Sequence, residues 1–147
     1  MTIITHILVT TLGVQAMELH GSEVALAYGF GIGVDIDHAV KAPFYLRNVG
    51  WRNKKDYYWR SSLQEPVALL WIIPLAWFLG TIVPIVFFLL HIALDYSVRF
   101  EKMPFYPYSP YVTRGWLITV PDKVKEGIVV VILIALNLIL YFGRRGV

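Results

Sequence analysis

The chain of 147 residues contains no cysteine. Disulfides, thiolate ligands and a cysteine nucleophile are thereby excluded, and any metal must be held by nitrogen and oxygen. Charge is scarce as well: Asp, Glu, Lys and Arg make up 16% of the residues against 57% hydrophobic ones, and none of the four occurs between Pro66 and Leu94. A water-soluble domain of this size has too little polar surface to cover 5 Trp, 9 Tyr and 8 Phe together with its Leu and Ile. No basic residue precedes the opening apolar stretch, as a cleaved secretory signal requires, although Val14-Gln15-Ala16 has the spacing of a cleavage site. A retained helix carrying His6 is expected instead. No nucleic-acid motif is present, so the net charge of +3 bears on topology and on anionic lipid headgroups.

What is there reads as an all-α, polytopic membrane bundle of about five short transmembrane helices, forming a single membrane domain over 1–147. The first two apolar segments, 3–17 and 24–37, are separated by the polar turn Glu18-Leu19-His20-Gly21-Ser22-Glu23 and predict a helical hairpin. Ala25, Gly29 and Gly33, at i, i+4 and i+8, predict a small-residue stripe for close packing. The long uncharged stretch exceeds one ordinary span of roughly 20 residues. Gly80-Thr81, with Pro74 and Pro84 nearby, divides it into helices over 66–79 and 82–97. A fifth helix is expected over 126–142, anchored by Arg144-Arg145. The connecting segments 38–65 and 98–125 read as interfacial loops, the first mixing Lys and Arg with Tyr and Trp and the second rich in proline.

Basic residues set the orientation. Six lie between Val40 and Gln64 and five between Arg99 and Lys125, against two in the tail. With five helices both basic loops fall on one side, which the positive-inside rule makes cytoplasmic. The expected location is a cell (inner or cytoplasmic) membrane, with a cytoplasmic N-terminus. Membrane lipids are the expected partners, with a membrane protein or a second copy of the chain as further candidates.

This topology sorts the ionisable residues by face. His6 begins the first helix on the cytoplasmic side, Asp35-Ile36-Asp37-His38 ends the second there, Glu65 begins the third, and His91 with Asp95 ends the fourth at a spacing that puts both on one helix face. Such groups in apolar helices cost several kcal/mol unless paired, hydrated or metal-bound. Imidazole and carboxylate without sulfur suit zinc first and manganese next. His6, Asp35, Asp37, His91 and Asp95 are the candidate metal ligands, and Glu65 and His38 the candidate ligand or general-base groups. Each has a plainer reading: His6 as a packing residue, His91 and Asp95 as a hydrogen bond between helices, and the Asp35–Asp37 pair offset by Lys41 or Arg47. His20 reads as part of an ordinary polar turn, and no base is spaced to activate Ser61, Ser62 or Thr113.

Thr5-His6-Ile7-Leu8, the block Val34-Asp35-Ile36-Asp37-His38, and His91-Ile92-Ala93-Leu94-Asp95 together resemble the membrane-bound metal-dependent hydrolases, the family of LexA-regulated inner-membrane proteins. The resemblance covers roughly residues 5–110. That family carries an intermediate His-Arg-Gly-x-Thr-His-Ser segment where this chain reads Arg60-Ser61-Ser62-Leu63-Gln64-Glu65-Pro66, so both histidines are missing and Glu65 stands nearest the second. The resemblance implies hydrolysis by metal-activated water, and a site at headgroup depth makes an ester or phosphoester of a lipid-like molecule the expected substrate. The alternative is a non-catalytic membrane subunit or scaffold in which the same residues form a structural cluster.

Overall fold

The computed structural model describes residues 2–36, 40, 43, 47, 62–97, 101–105, 107–114 and 120–145. Among them are five α-helices: α1 (Ile3–Ala16), α2 (Ser22–Gly31), α3 (Leu69–Leu79), α4 (Val83–Tyr96) and α5 (Asp122–Arg145). One antiparallel ladder of two-residue strands, β1 (Glu101–Lys102) and β2 (Thr113–Arg114), closes the proline-rich loop between α4 and α5.

Helix ends follow local chemistry. Gly80 ends α3 in the left-handed conformation at φ 65°, its N–H on the Trp77 carbonyl and that of Thr81 on the Ala76 carbonyl. This is a Schellman closure, which only glycine enters without strain. Pro84 then sits in the first turn of α4, where its missing N–H is no loss. Pro66 plays the same part in the short 3-10 turn Pro66–Ala68 that leads into α3. The last helix begins at Asp122, one residue after Pro121 and four residues before the expected start at 126, because Lys123 and Lys125 join its first turns.

The second helix departs from its expected extent. Its α-helical part stops at Gly31, and the chain tightens into a 3-10 turn over Gly33–Asp35. Gly31-Ile32-Gly33 combines two poor helix formers around a β-branched residue, so the final turn gives up its i to i−4 bonding.

Helix α4 is the centre of the bundle. It packs against α1, α2 and α3, while α1 also packs against α2 and along α5. Phe87 joins Leu19, Ala27 and Val83 in one buried cluster, and Phe88 joins Ala68, Ile72 and Ile92 in another. The close approaches involve glycines other than the expected stripe. Ala25 and Gly29 are exposed, and a Cβ on Gly29 would meet nothing within 4 Å among the described residues. A Cβ on Gly13 would instead lie 2.8 Å from the Phe87 ring, and one on Gly31 would collide with the Thr10 hydroxyl. These two glycines bring α1 onto α4 and α2.

Successive helices run in alternating directions, as contacts at the two ends record. At one end Thr2 donates its backbone N–H to Glu126 (2.8 Å) and Lys125 Nζ donates to the Ser97 carbonyl (2.7 Å). At the other, Arg144 pairs with Glu18 at 3.0 Å and Thr81 donates to Glu23 at 3.3 Å.

Beside these apolar clusters the interior holds polar side chains, and large apolar ones stand outside. Thr5, Thr10, Gln64, Glu65, Lys102 and Lys125 are buried, while Trp77 and Phe78 are 86% and 81% exposed. Helix α5, over Asp122–Arg144, is long and apolar enough to cross a membrane. The segments Ile3–Ala16, Pro66–Leu79 and Val83–Tyr96 are apolar but shorter.

Candidate metal centre

The site is assembled from four chain segments at one end of the bundle. His6 comes from the first turns of α1, Asp35 from the 3-10 turn after α2, Gln64 and Glu65 from the approach to α3, and His91 and Asp95 from the last turns of α4. His6 and His91 stack, with ring centroids 4.2 Å apart and planes 19° from parallel. Both rings are buried.

Each imidazole has one nitrogen engaged by an oxygen. His91 Nδ1 lies 2.9 Å from the Gly31 carbonyl, an acceptor only, so Nδ1 carries the proton. Its Nε2 then points a lone pair toward Asp35 Oδ1, 3.5 Å away, and has no hydrogen-bond partner among the described residues. His6 Nε2 lies 3.3 Å from Asp95 Oδ1. With the proton on that nitrogen, Nδ1 keeps its lone pair, and this buried atom too has no hydrogen-bond partner among the described residues. A histidine that donates one ring N–H to a carboxylate or carbonyl and leaves the other nitrogen bare is the arrangement of a metal-ligating imidazole.

His6, Asp35 and His91 each offer a ligand atom, and the three atoms lie within 4.8 Å of one another. This group, with both histidines buried, could hold a metal ion. The donor set fits one on chemical grounds: a lone pair and a carboxylate at 3.5 Å repel unless a proton or cation lies between them. Gln64 donates from Nε2 to Asp35 Oδ1 at 3.1 Å and to the Val34 carbonyl at 3.1 Å, which ties the carboxylate to the turn that bears it.

The other expected residues have different places. Asp95 orients His6 and stands outside the group of three. Glu65 is buried and accepts a hydrogen bond from the Tyr96 hydroxyl, whose ring lies under Lys102 Nζ at 4.9 Å from the centroid. Asp37 and His38 lie outside the described residues. Sequence reasoning missed Gly31, Gln64 and Tyr96. The only signal for Gln64 was its place beside Glu65, and no pattern marks a backbone carbonyl as a histidine's partner.

No family model, curated protein or solved structure matches the chain.

Proposed function

We propose that the protein is a membrane-embedded metal-dependent hydrolase acting on an ester or phosphoester of a lipid-like substrate at the cytoplasmic face. The observation that carries the reading is His91: its proton is held by the Gly31 carbonyl, and its bare Nε2 faces the Asp35 carboxylate beside a stacked, buried His6. The large exposed apolar faces support a lipid environment around all five helices, because such faces combined with polar side chains held inside suit hydrocarbon. The three sequence blocks that resemble the membrane-bound metal-dependent hydrolases supply His6, Asp35, His91 and Asp95.

His6, Asp35 and His91 would hold the ion, with zinc preferred and manganese next for this nitrogen and oxygen set. When bound, the ion supplies positive charge that lowers the pKa of water and polarises the oxygen of the bond to be cut. Asp95 and Gly31 keep each imidazole in its ligating tautomer, and Gln64 aims Asp35. Glu65, steadied by Tyr96, is the carboxylate we assign to taking up a proton, with His38 as its alternate.

Elemental analysis of detergent-purified protein tests the reading. Stoichiometric zinc or manganese is expected, lost in Asp35→Asn and His91→Ala, together with hydrolysis of some amphiphilic ester that falls in the same variants. A second reading, a structural metal or hydrogen-bond cluster in a membrane scaffold, is favoured by Glu65 and Asp35 already having hydrogen-bond partners in Tyr96 and Gln64. Bound metal with no turnover of any ester in a broad panel selects that second reading. Metal-free protein excludes the hydrolase.

A further inference from the structure

The three residues of the metal group are unequally enclosed. The side chain of His91 is 0% exposed and that of His6 1%, whereas that of Asp35 is 22%. Among the described residues, approach to the group therefore runs past Asp35. A groove of about 420 Å³ lies there, lined by Ile3, Tyr28, Ile32, Gly33, Asp35 and Ile36. Its volume falls within the ordinary range of small-molecule sites. One carboxylate is set in an otherwise apolar wall. The Tyr28 hydroxyl lies 2.8 Å from that of Thr11, so its hydrogen bonding is met within the bundle and the residue lends the groove its ring. Ile3 and Ile36 are largely exposed, which opens the groove among apolar side chains at the surface.

We infer that this groove holds one alkyl chain of the substrate and brings the bond to be cut beside Asp35. The inference rests on the proposed hydrolase reading and names its substrate as an amphiphile that presents a single chain to the enzyme. Removing a CH₂ from water is worth about 0.8 kcal/mol, but a chain already in a bilayer has left water. The groove then contributes position more than affinity. Its signature is where a chain lies, and a position map is the matching readout.

A built-in comparison exists at the opposite end of the bundle. A second groove, of about 330 Å³, runs along Ile73, Trp77, Gly80 and Ile85 between α3 and α4, and no ionisable residue lines it. Lipid coating alone would fill both. The probe is an alkylphosphocholine with a mid-chain diazirine, in nanodiscs of dioleoylphosphatidylcholine, with cross-links mapped by mass spectrometry. Labelling on Ile3, Tyr28, Ile32 and Ile36 is expected to exceed labelling of the α3–α4 groove several-fold. Gly33→Leu is expected to reduce the first several-fold and leave the second unchanged. Among the described residues a Cβ at Gly33 meets only the Tyr28 carbonyl, at 3.8 Å, so the side chain starts without a clash. Ile3→Trp narrows the opposite wall and serves if Gly33→Leu does not accumulate. Bound metal in each variant reports an intact site. Equal labelling of the two grooves, or labelling that persists in metal-loaded variants of both walls, overturns the inference. Wild-type protein that carries no metal strikes the hydrolase reading instead, while the map still decides whether a chain occupies the groove.

Discussion

At the scale of single residues, the site depends on which atom of each ring is engaged. The Gly31 carbonyl holds the His91 proton on Nδ1, and that one hydrogen bond decides that Nε2 is a base facing Asp35. Gly31 serves a second purpose, since an added methyl would collide with the Thr10 hydroxyl. Gly31→Ala is therefore expected to destabilise the protein by about 1–3 kcal/mol, the usual range for overpacking, and to lower metal occupancy by moving the carbonyl from His91. Thermal unfolding in detergent and elemental analysis of the same sample check both effects. Thr10→Ala in the Gly31→Ala background should restore part of the stability, because the Thr10 hydroxyl has no hydrogen-bond partner among the described residues and its removal relieves the nearest clash. Gln64→Ala leaves all three ligands in place but frees Asp35 from its tether. Metal affinity should fall about 10-fold or somewhat more, as is typical when a ligand's hydrogen-bond partner is removed. A competition titration against a chelator measures that loss, and unchanged affinity would show that Gln64 does not aim the carboxylate.

Elements bring these residues to a common depth. Alternating helix direction places the beginnings of α1, α3 and α5 with the ends of α2 and α4, and the site lies where those ends meet. The turn at Gly80 belongs to the other end. It sets the pairing of α3 with α4 through its left-handed conformation, and among the described residues nothing lies within 4 Å of the Cβ position. Gly80→Ala should thus introduce backbone strain alone, about 1–2 kcal/mol. Metal content should stay at the wild-type level. A lowered unfolding midpoint with intact metal binding would separate the folding role of this turn from the chemistry of the opposite end. Joint loss of both would mean that the two ends are coupled through α4. Between α1 and α5, Asn137 donates to the Leu8 carbonyl at 3.1 Å and to Leu133 of its own helix at 2.7 Å, a polar tie within an apolar contact. In the proposed membrane setting such ties average about 0.6 kcal/mol, so α5 would be held chiefly by packing along α1.

For the molecule as a whole, polar residues inside and bare Trp and Phe outside require a non-aqueous surround in the proposed reading. The protein should remain in the membrane pellet after alkaline carbonate extraction, and release into the supernatant would contradict that reading. The absence of cysteine gives a direct test of orientation. Ser109→Cys lies in the loop between β1 and β2, and Gly143→Cys lies near the end of α5. In intact cells a membrane-impermeant maleimide should label Gly143→Cys, and Ser109→Cys only after lysis. The opposite pattern would invert the proposed topology and put the site on the outer face. In the proposed reading metal removal would also be felt by the whole fold, because His6, Asp35 and His91, which would hold the ion, come from α1, the turn after α2 and α4. Ion at 100-fold over its dissociation constant should contribute about 2.7 kcal/mol, read as a lower unfolding midpoint after chelation.

What was legible in the sequence follows from short-range chemistry. Gly80 and Pro84 mark a helix break wherever they fall in an apolar run, and Pro66 marks a helix start, because these residues act through their own backbone. The gathering of His6, Asp35, Glu65, His91 and Asp95 at one end was legible too, since helix number and direction alone bring those ends together. Tertiary structure decided the rest. Which histidine stacks on which, that Asp95 orients His6 instead of joining the group of three, and that Glu65 meets Tyr96 all depend on the rotation of each helix about its axis. For α1, α2 and α4 that rotation is limited by the close approaches at Gly13 and Gly31. Ala25 and Gly29 of the expected stripe satisfied the same spacing rule and are exposed, and Gly33 lies beyond α2 in the 3-10 turn, because spacing identifies a helix face without saying which neighbour it meets or where the helix stops.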